Sequence, residues 1–461
     1  MWSAMADPNK QQENSPALQL FSLQDWEAYP FAGEEKLAWF REAKLGLFLH
    51  VGIAAVGMAE IGWARHTHKF PDPQDVHGEV PTEVYDGWAT QIKFENFNAD
   101  EWIDLAVDCG FKYVVIITKH HDGFHMWDTA YSEHKITNSP MKRDYLKELV
   151  DACHAKGMPV GFYYSQRDWY HPDYEPIDPA VAVPTNQLPL YELKEGQQRR
   201  AGEKHEKYIQ YMHNAITELM TKYGKIDILW WDALWCGGMF CEDMWRSLQL
   251  EQKVRELQPH ILINNRASVP GDFDTPERLV GHVQRERAWE TCIPLCPGWS
   301  HTEDGPRPMK EIVGEFIGSI CGDGNYLLSV GCLPNGALDN SEVLVMRRFG
   351  GWVKQHGEAI YKTRSGPWNP NEFGGSVYRD DTVYVHLLNR PESGRLQLPL
   401  EHYEIDEMTC LTEEQAHLSV VDHTLIIDLP NTEFLDIIVR LKMKHLVTVP
   451  VEGLAPLSPT T

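Results

Sequence analysis

The most informative absences in this sequence concern long apolar stretches and positive charge. No run of about 18 apolar residues occurs, so the sequence predicts no membrane-spanning helix. Lys and Arg number 42 against 67 Asp and Glu, which gives a formal net charge of -25. A surface that binds nucleic acid or anionic lipid needs clustered cationic side chains. We therefore expect no nucleic-acid and no membrane partner, and a neutral ligand fits the composition better.

The cysteines also lack a pattern that would give them a function. The nine cysteines are scattered without C-x-x-C spacing, which predicts buried thiols rather than a disulfide framework. Cys109 and Cys153, each on the apolar face of a predicted helix, fit that interpretation. The polar stretch from Met1 to Pro16 has no apolar core of a signal peptide. We expect a cytoplasmic protein, or a secreted or periplasmic one if a leader has been removed.

Strands and helices alternate along most of the chain. Apolar, β-branched runs are separated by helical segments of ten or more residues, and this alternation predicts a parallel sheet with right-handed crossovers. The number of units favours closure into a (β/α)8-like barrel. The predicted strands are 45–51, 113–118, 160–165, 225–232, 261–264 and 325–330.

The pattern changes beyond Gly366, where short strands separated by turns no longer alternate with helices. Such a segment is typical of an antiparallel β-sandwich. A chain of 461 residues is also too long for one compact core. We predict an N-terminal tail (1–30), a catalytic barrel (31–365), a C-terminal β-sandwich (366–447) and a second tail (448–461).

Polar side chains follow one predicted strand after another. Asp232 ends an apolar run that begins after the helix-stopping Gly224, and barrel active sites lie at the carboxyl ends of the strands. A capping role for Asp232 and a structural role for any single histidine are the alternatives. The convergence of many such residues favours a site, which we expect to contain His50, His120, His121, Tyr164, Trp230, Asp232 and Arg266.

Two kinds of chemistry could use these residues. Imidazoles beside a carboxylate can ligate a metal, but His66 and His68 lie in an irregular segment. His120 and His121 are adjacent, so on a strand they would point to opposite sides. Glycoside cleavage instead needs a nucleophilic carboxylate and a second carboxyl about 5 Å away in a retaining enzyme, with side chains that grip sugar hydroxyls.

The second carboxyl is expected on a loop that follows another strand. Glu277 ends the turn-rich stretch that begins at Gly271, after Arg266, and could extend over the pocket. Glu290 is the alternative. Spacing alone does not choose between these two glutamates.

Several segments of the sequence resemble the α-L-fucosidases of glycoside hydrolase family 29. The likeness runs in the right order from about residue 35 to 365, and the β-rich tail matches the C-terminal sandwich of that family. The most specific element is Lys-His-His-Asp-Gly-Phe at residues 119–124. The other matching segments are 43–50, 161–165, 227–232, 264–266, 289–292, 324–328 and 357–361.

The resemblance implies a retaining exo-glycosidase that removes terminal α-L-fucosyl residues from oligosaccharides or glycoconjugates without a metal or organic cofactor. It implies that Asp232 is the nucleophile and Glu277 the general acid/base, with Glu290 as the alternative. The positions that match sugar-binding or pocket-wall residues are His50, His120, His121, Tyr164, Trp230, Arg266 and Trp63.

The sequence departs from the family at two places. Members usually carry His-Trp-Gly where this chain has His50-Val51-Gly52, and Glu-Trp-Tyr where it has Gly62-Trp63-Ala64. The missing tryptophan and glutamate leave two alternatives open, a glycosidase for a fucose-like sugar such as α-L-galactose and a sugar-binding relative without catalysis. The histidines beside a carboxylate leave a third, a metal-dependent barrel hydrolase. A homo-oligomer is a further open alternative.

Overall fold

The computed structural model describes residues 23–66, 78–174, 202–232, 242–412 and 415–459. The first 22 residues of the predicted tail and His68 of the metal alternative lie outside this part of the chain. Across the described ranges, no helix combines the length and the apolar character needed to cross a membrane.

Seven parallel strands form a curled sheet in the order β5-β4-β3-β2-β1-β7-β6. All residues of these strands are buried, as expected for a parallel sheet that is covered on both faces. The strands are β1 (Leu45–Leu49), β2 (Tyr113–Lys119), β3 (Val160–Ser165), β4 (Ile228–Asp232), β5 (Leu262–Ile263), β6 (Glu290–Pro294) and β7 (Asn325–Val330).

Helices connect the strands and cover the outside of the sheet. Asn98 caps the helix Ala99–Asp108 by accepting hydrogen bonds from the backbone N–H groups of Asp100 and Glu101. The helices are α1 (Leu23–Ala28), α2 (Glu34–Ala43), α3 (Thr82–Gly87), α4 (Ala99–Asp108), α5 (Tyr145–Ala155), α6 (Gly202–Lys222), α7 (Glu242–Trp245), α8 (Ser247–Leu257), α9 (Met309–Cys321) and α10 (Asn340–Gln355). Short 3-10 turns span Ile53–Gly57, Trp88–Thr90, Ile136–Asn138 and Gly357–Ala359.

An extended segment closes the sheet between its edge strands β5 and β6. Residues 272–277, called the closing segment below, make isolated bridges through three pairs: Asn264 with Phe273, Asp274 with Trp289, and Glu277 with Cys292. This segment takes the position of an eighth strand without forming a continuous ladder. The predicted (β/α)8-like architecture is confirmed, with seven regular strands in the described sheet.

Two antiparallel sheets follow the barrel and confirm the predicted β-sandwich. One has the order β12-β15-β10-β9-β8 and the other β13-β14-β11-β16. The strands are β8 (Arg364–Ser365), β9 (Gly374–Arg379), β10 (Thr382–Leu387), β11 (Arg395–Pro399), β12 (Ile405–Cys410), β13 (His417–Val421), β14 (Thr424–Asp428), β15 (Ile437–Met443) and β16 (Ser458–Pro459).

Both predicted tails contain ordered structure. At the C-terminal end, β16 pairs with Leu396 and Gln397 of β11, and Leu457 is buried in the sandwich core. At the N-terminal end, α1 lies within residues 1–30 and is followed by Tyr29, which is buried. The sequence missed these contacts because both segments are short and have no periodic apolar pattern.

Candidate active site

Asp232 is the last residue of β4, at the carboxyl end of the barrel sheet. It lines a cavity of about 390 Å³ together with residues from several other strand ends and loops. The lining residues are Phe48, His50, Trp63, His120, Tyr163, Trp230, Asp232, Arg266, Glu277, Cys292 and Trp299. A carboxylate thus faces a concave, largely aromatic surface, which is the composition of a small-molecule site.

The Asp232 carboxylate is held by donors on both oxygens. The Tyr163 hydroxyl donates to Oδ2 at 2.6 Å, and Nη1 of Arg266 donates to Oδ1 at 3.0 Å. His121 Nε2 lies 3.6 Å from Oδ2. These contacts fix the orientation of a buried carboxylate and give both of its oxygens a hydrogen-bond donor.

Arg266 joins Asp232 to Glu277. Its Nη1 atom lies 3.0 Å from Oδ1 of Asp232 and 3.2 Å from Oε2 of Glu277. The shared donor places these two carboxyl oxygens no more than about 6 Å apart, and carboxyl groups roughly 5 Å apart are typical of retaining glycosidases. Arg266 also donates to Oγ1 of Thr275 at 2.8 Å and to the Thr275 carbonyl at 2.9 Å.

Glu277 lies at the rim of the cavity, with 31% of its side chain exposed. Desolvation at the cavity wall raises the pKa of this carboxyl, and the nearby Asp232 charge adds to the increase, while the Arg266 guanidinium opposes it. Asp232 and Glu277 are therefore near neighbours in different surroundings. Asp232 accepts hydrogen bonds on both oxygens, and Glu277 holds a proton more readily than a glutamate in water.

The three predicted histidines surround the carboxylate from the other side. His50 Nδ1 and Ser329 Oγ are 2.6 Å apart, and the His50 ring stacks on Trp299. Burial lowers the pKa of His50 to about 3 and the pKa values of His120 and His121 well below the ordinary value. At neutral pH these rings are uncharged, so each can donate from one nitrogen and accept at the other.

His120 and His121 both lie against the site, and the rule that adjacent residues of a strand point to opposite sides does not apply to them. β2 ends at Lys119, so both histidines lie in the turn that follows and strand alternation does not apply to them. The His120 ring stacks on Tyr163 with centroids 5.3 Å apart. His121 Nδ1 shares a 2.6 Å hydrogen bond with the Ser165 hydroxyl.

The expectation for Tyr164 is wrong, because Tyr163 occupies the site instead. In the parallel register Tyr163 pairs with Trp230 and Ser165 with Asp232, whereas Tyr164 pairs with Trp231. Residues in register face the same side of the sheet, so Tyr163 joins the cavity and Tyr164 points away from it. The Tyr164 ring instead packs under the Lys119 ammonium, 4.7 Å from its centroid.

Glu290, the alternative acid/base, lies beneath the floor of the cavity. It is the first residue of β6, at the opposite end of that strand from the site, and it is fully buried. Trp230 Nε1 donates to its Oε1 at 3.0 Å, and the Tyr113 hydroxyl donates to Oε2. Glu290 therefore supports the Trp230 ring and is not among the residues that line the cavity.

Trp299 forms part of the cavity wall, and the sequence did not predict it as a site residue. It lies in the irregular segment after β6, which has no apolar period to place it. Glu60 anchors its backbone, because the Trp299 N–H donates to the two Glu60 carboxylate oxygens at 2.9 and 3.0 Å. The neighbouring Ser300 hydroxyl accepts a 3.0 Å hydrogen bond from the Ile61 N–H. Phe48 of β1 and Cys292 of β6 also line the cavity, and the sequence did not predict either of them as a site residue.

The departure at Gly62 has a local physical reason. Gly62 has φ +67°, and a Cβ at this position would lie 2.5 Å from Nδ1 of His120. A side chain here would be strained and would displace the His120 ring. The next residue, Trp63, does line the cavity, and its ring meets His121 edge to face at a centroid distance of 5.2 Å.

A metal could be considered at His120, His121 and Asp232, whose ligand atoms lie within 4.8 Å of one another. However, both Asp232 oxygens already accept hydrogen bonds, one of them from the charged Arg266. A guanidinium at 3.0 Å from the carboxylate opposes a second cation there. The donor set therefore favours a hydrogen-bonded carboxylate over a metal ligand.

Comparisons with known proteins agree on one family. A family model described as alpha-L-fucosidase matches residues 22–358, which include all residues that line the cavity. The tissue alpha-L-fucosidase of Bos taurus is 27% identical over 390 residues, covering 78% of this chain and 76% of that protein. The plasma alpha-L-fucosidase of Homo sapiens is 27% identical over 395 residues, covering 78% of each chain. The structure of alpha-L-fucosidase isoenzyme 1 from Paenibacillus thiaminolyticus superposes with a TM-score of 0.74 at 28% identity, covering 90% of this chain and 100% of that one.

Proposed function

The chain belongs to the α-L-fucosidase family, and from that premise we propose that it removes terminal α-L-fucosyl residues with Asp232 as nucleophile and Glu277 as general acid/base. The observation that supports these roles best is the Arg266 guanidinium, which contacts both carboxyl groups at the edge of one cavity. The shared donor keeps the two carboxyl oxygens within about 6 Å of each other, which is compatible with the roughly 5 Å separation of a double-displacement mechanism.

In the first step, a carboxylate oxygen of Asp232 attacks the anomeric carbon of the bound fucosyl residue. The bond from that carbon to the leaving oxygen breaks, and Glu277 gives its proton to the leaving oxygen. The products are a fucosyl ester on Asp232 and an ionised Glu277. Arg266 serves both partners, because it orients the nucleophile before attack and stabilises the Glu277 carboxylate after proton transfer.

In the second step, the Glu277 carboxylate accepts a proton from a water molecule as the water oxygen attacks the anomeric carbon. The ester bond to Asp232 breaks, and the carboxylate returns to the hydrogen bonds from Tyr163 and Arg266. The neutral histidines can exchange hydrogen bonds with sugar hydroxyls throughout, while the rings of Phe48 and Trp230 offer an apolar surface at the base of the cavity.

Replacement of Asp232 tests the nucleophile. Asp232→Gly should lower kcat on 4-nitrophenyl α-L-fucoside by several orders of magnitude, since the covalent route is lost. Azide should restore turnover by attacking the fucoside directly, giving a fucosyl azide of inverted configuration. Undiminished turnover by a folded Asp232→Gly variant would refute the role.

Glu277 and Glu290 form a matched pair for testing the acid/base. Glu277→Ala should be rescued by azide, which attacks the ester intermediate and yields a fucosyl azide of retained configuration. Glu290→Ala should show no such adduct, because Glu290 is buried beneath Trp230. The reverse pattern would transfer the role to Glu290.

Two further assays on the unmodified protein test which sugar it prefers and whether its activity requires a metal. We expect higher kcat/KM on the aryl α-L-fucoside than on the aryl α-L-galactoside, which carries an additional hydroxyl at C6. We also expect activity to persist after treatment with a chelator. Loss of activity on chelation with recovery on adding Zn²⁺ would favour the metal-dependent alternative.

A further inference from the structure

The stretch from Trp26 to Ala32, called the N-terminal brace below, packs against the closing segment that carries Glu277. We propose that this brace is a positioning element that holds Glu277 where it can donate its proton. The inference rests on the proposed acid/base role of Glu277, and it assigns a catalytic contribution to residues that touch no substrate.

The closing segment is held by separate backbone contacts and by side chains. Its isolated bridges come with backbone hydrogen bonds on both sides, such as Asp272 N–H to the Ile263 carbonyl and Asp274 N–H to the Ala288 carbonyl, whereas β4, which ends at Asp232, pairs in a continuous ladder with β3 and also pairs with β5. Isolated bridges define the position of a segment less firmly than a continuous ladder. Side chains add further anchors: Thr275 binds Asn265 and Arg266, and the aspartates Asp272 and Asp274 bind groups outside the sheet.

The first anchor, Asp272, binds the brace directly. Its Oδ1 accepts a 2.7 Å hydrogen bond from the backbone N–H of Ala32. Its Oδ2 accepts hydrogen bonds from Arg255 at 2.9 Å and from the Ile263 N–H at 2.8 Å. Asp272 is 2% exposed, so loss of any of these donors would leave a buried carboxylate short of a partner.

The second anchor, Asp274, is held through an arginine that the brace covers. Arg287 Nε donates to Oδ1 of Asp274 at 2.7 Å, and its Nη2 donates to the carbonyl of Gly271 at 3.0 Å. The rings of Trp26 and Phe31 lie 4.8 and 5.9 Å from the guanidinium carbon. This cover keeps the arginine in one orientation and away from solvent.

Tyr29 links the brace to the strand that bears the nucleophile. Its side chain is buried, and its hydroxyl donates to Glu251 and accepts a 2.9 Å hydrogen bond from Arg255. Glu251 in turn accepts a 3.1 Å hydrogen bond from Nε1 of Trp231, the neighbour of Asp232. The brace therefore contacts the closing segment directly and is linked to β4 through Glu251 of α8.

Loosening of the brace should affect proton donation more than nucleophilic attack. Glu277 lies on the weakly paired segment and follows any shift of Asp272 and Asp274. Asp232 keeps its strand ladder and its bond from Tyr163. A displaced general acid slows substrates whose leaving oxygen needs the proton and has little effect on those whose leaving group departs as a stable anion.

The test compares two leaving groups in the full-length protein. Tyr29→Phe and Arg287→Met should each lower kcat/KM on a 4-methoxyphenyl α-L-fucoside by about tenfold, part of the 10²–10⁴ that a general acid contributes. On 2,4-dinitrophenyl α-L-fucoside the same variants should change kcat/KM by less than about twofold, since that leaving group needs little proton assistance. Melting temperatures confirm that each variant is folded.

A matched control is Tyr361→Phe, which also removes a tyrosine hydrogen bond but on the other side of the barrel, where Tyr361 donates to the Gly110 carbonyl at 2.5 Å. It should show no leaving-group selectivity.

Equal losses on both substrates, or no loss, in the brace variants Tyr29→Phe and Arg287→Met would overturn the proposal. Glu277→Ala is assayed in parallel: if it shows the selectivity and the brace variants do not, only the brace inference fails. If Glu277→Ala itself lacks selectivity, the acid/base role fails.

Discussion

The hydroxyl of Tyr163 donates a 2.6 Å hydrogen bond to Oδ2 of Asp232. Burial raises the pKa of Tyr163 well above the ordinary value, and the Asp232 charge raises it further. The phenol is therefore a neutral donor at neutral pH. In the proposed mechanism it would orient the Asp232 carboxylate for attack and stabilise that carboxylate as the leaving group of the second step.

Removal of this hydroxyl should slow turnover. A hydrogen bond to a charged group contributes roughly 1.5–3 kcal/mol, so Tyr163→Phe should reduce kcat on an aryl fucoside by about 10- to 100-fold. The matched variant is Tyr164→Phe, one residue away and on the opposite face of β3, which should retain kcat within about twofold because it loses no contact with Asp232. Steady-state kinetics measures kcat for both variants. A lower kcat for Tyr164→Phe than for Tyr163→Phe would contradict the role assigned to Tyr163.

Arg266 should tolerate no cationic substitute. A guanidinium can contact Asp232, Thr275 and Glu277 at once, whereas a lysine ammonium is a compact charge that cannot span them. Arg266→Lys should therefore lower kcat/KM by at least about a hundredfold, the loss expected for two charged hydrogen bonds. As a control, Arg364→Lys alters a similar arginine that binds Asp323 away from the cavity, and it should leave kcat/KM nearly unchanged. Comparable losses in the two variants would indicate a general effect on folding.

The pH dependence of the first step should report Glu277. Its pKa lies above the ordinary value of 4.5 because of desolvation and the nearby Asp232 charge. Proton donation needs the protonated form, so kcat/KM on a substrate with a poor leaving group should fall as the pH rises through this raised pKa. The same basic limb should disappear in Glu277→Ala. If kcat/KM of that variant still fell at high pH, the titrating group would be one other than Glu277.

The sequence predicts site residues correctly where they follow the carboxyl end of a strand. It does not predict which of two adjacent strand residues faces the cavity, or at which end of a strand a residue lies. Asp232 and Arg266 follow predicted strands, and parallel strands present their carboxyl ends together. Glu277 follows as a loop residue after Arg266, and only the resemblance to the family favours it over Glu290. The phase of alternation in β3 was not readable, because Tyr163 and Tyr164 are chemically alike. Only the register with β4 shows which one faces Asp232.

Glu290 and Trp299 show a different limit of the sequence. Glu290 was placed beside the site because the stretch around it had no helix to mark whether it begins or ends a strand. The structure shows that it begins β6. Trp299 belongs to a loop whose position depends on distant groups, Glu60 and the backbone around Ile61, and no local pattern encodes such contacts.

Glu290 also gives a stability prediction with a definite sign. Burial raises its pKa from 4.5 to about 7 in the folded protein. Between these values the folded state binds a proton that the unfolded chain releases, so this contribution to stability is complete below about pH 4.5 and is lost as the pH rises through 7. At 1.36 kcal/mol for each pKa unit, the loss amounts to about 3 kcal/mol.

Glu290→Gln should remove this dependence, because the amide remains neutral and its carbonyl can still accept the hydrogen bond from Trp230. The difference in unfolding free energy between variant and parent should shift by about 3 kcal/mol in favour of the variant between pH 4.5 and pH 8. Urea unfolding at the two pH values measures that shift. A difference that stays constant would show that the carboxyl beneath Trp230 is ionised even at the lower pH, and the hydrogen bonds from Tyr113 and Trp230 would then outweigh the cost of burial.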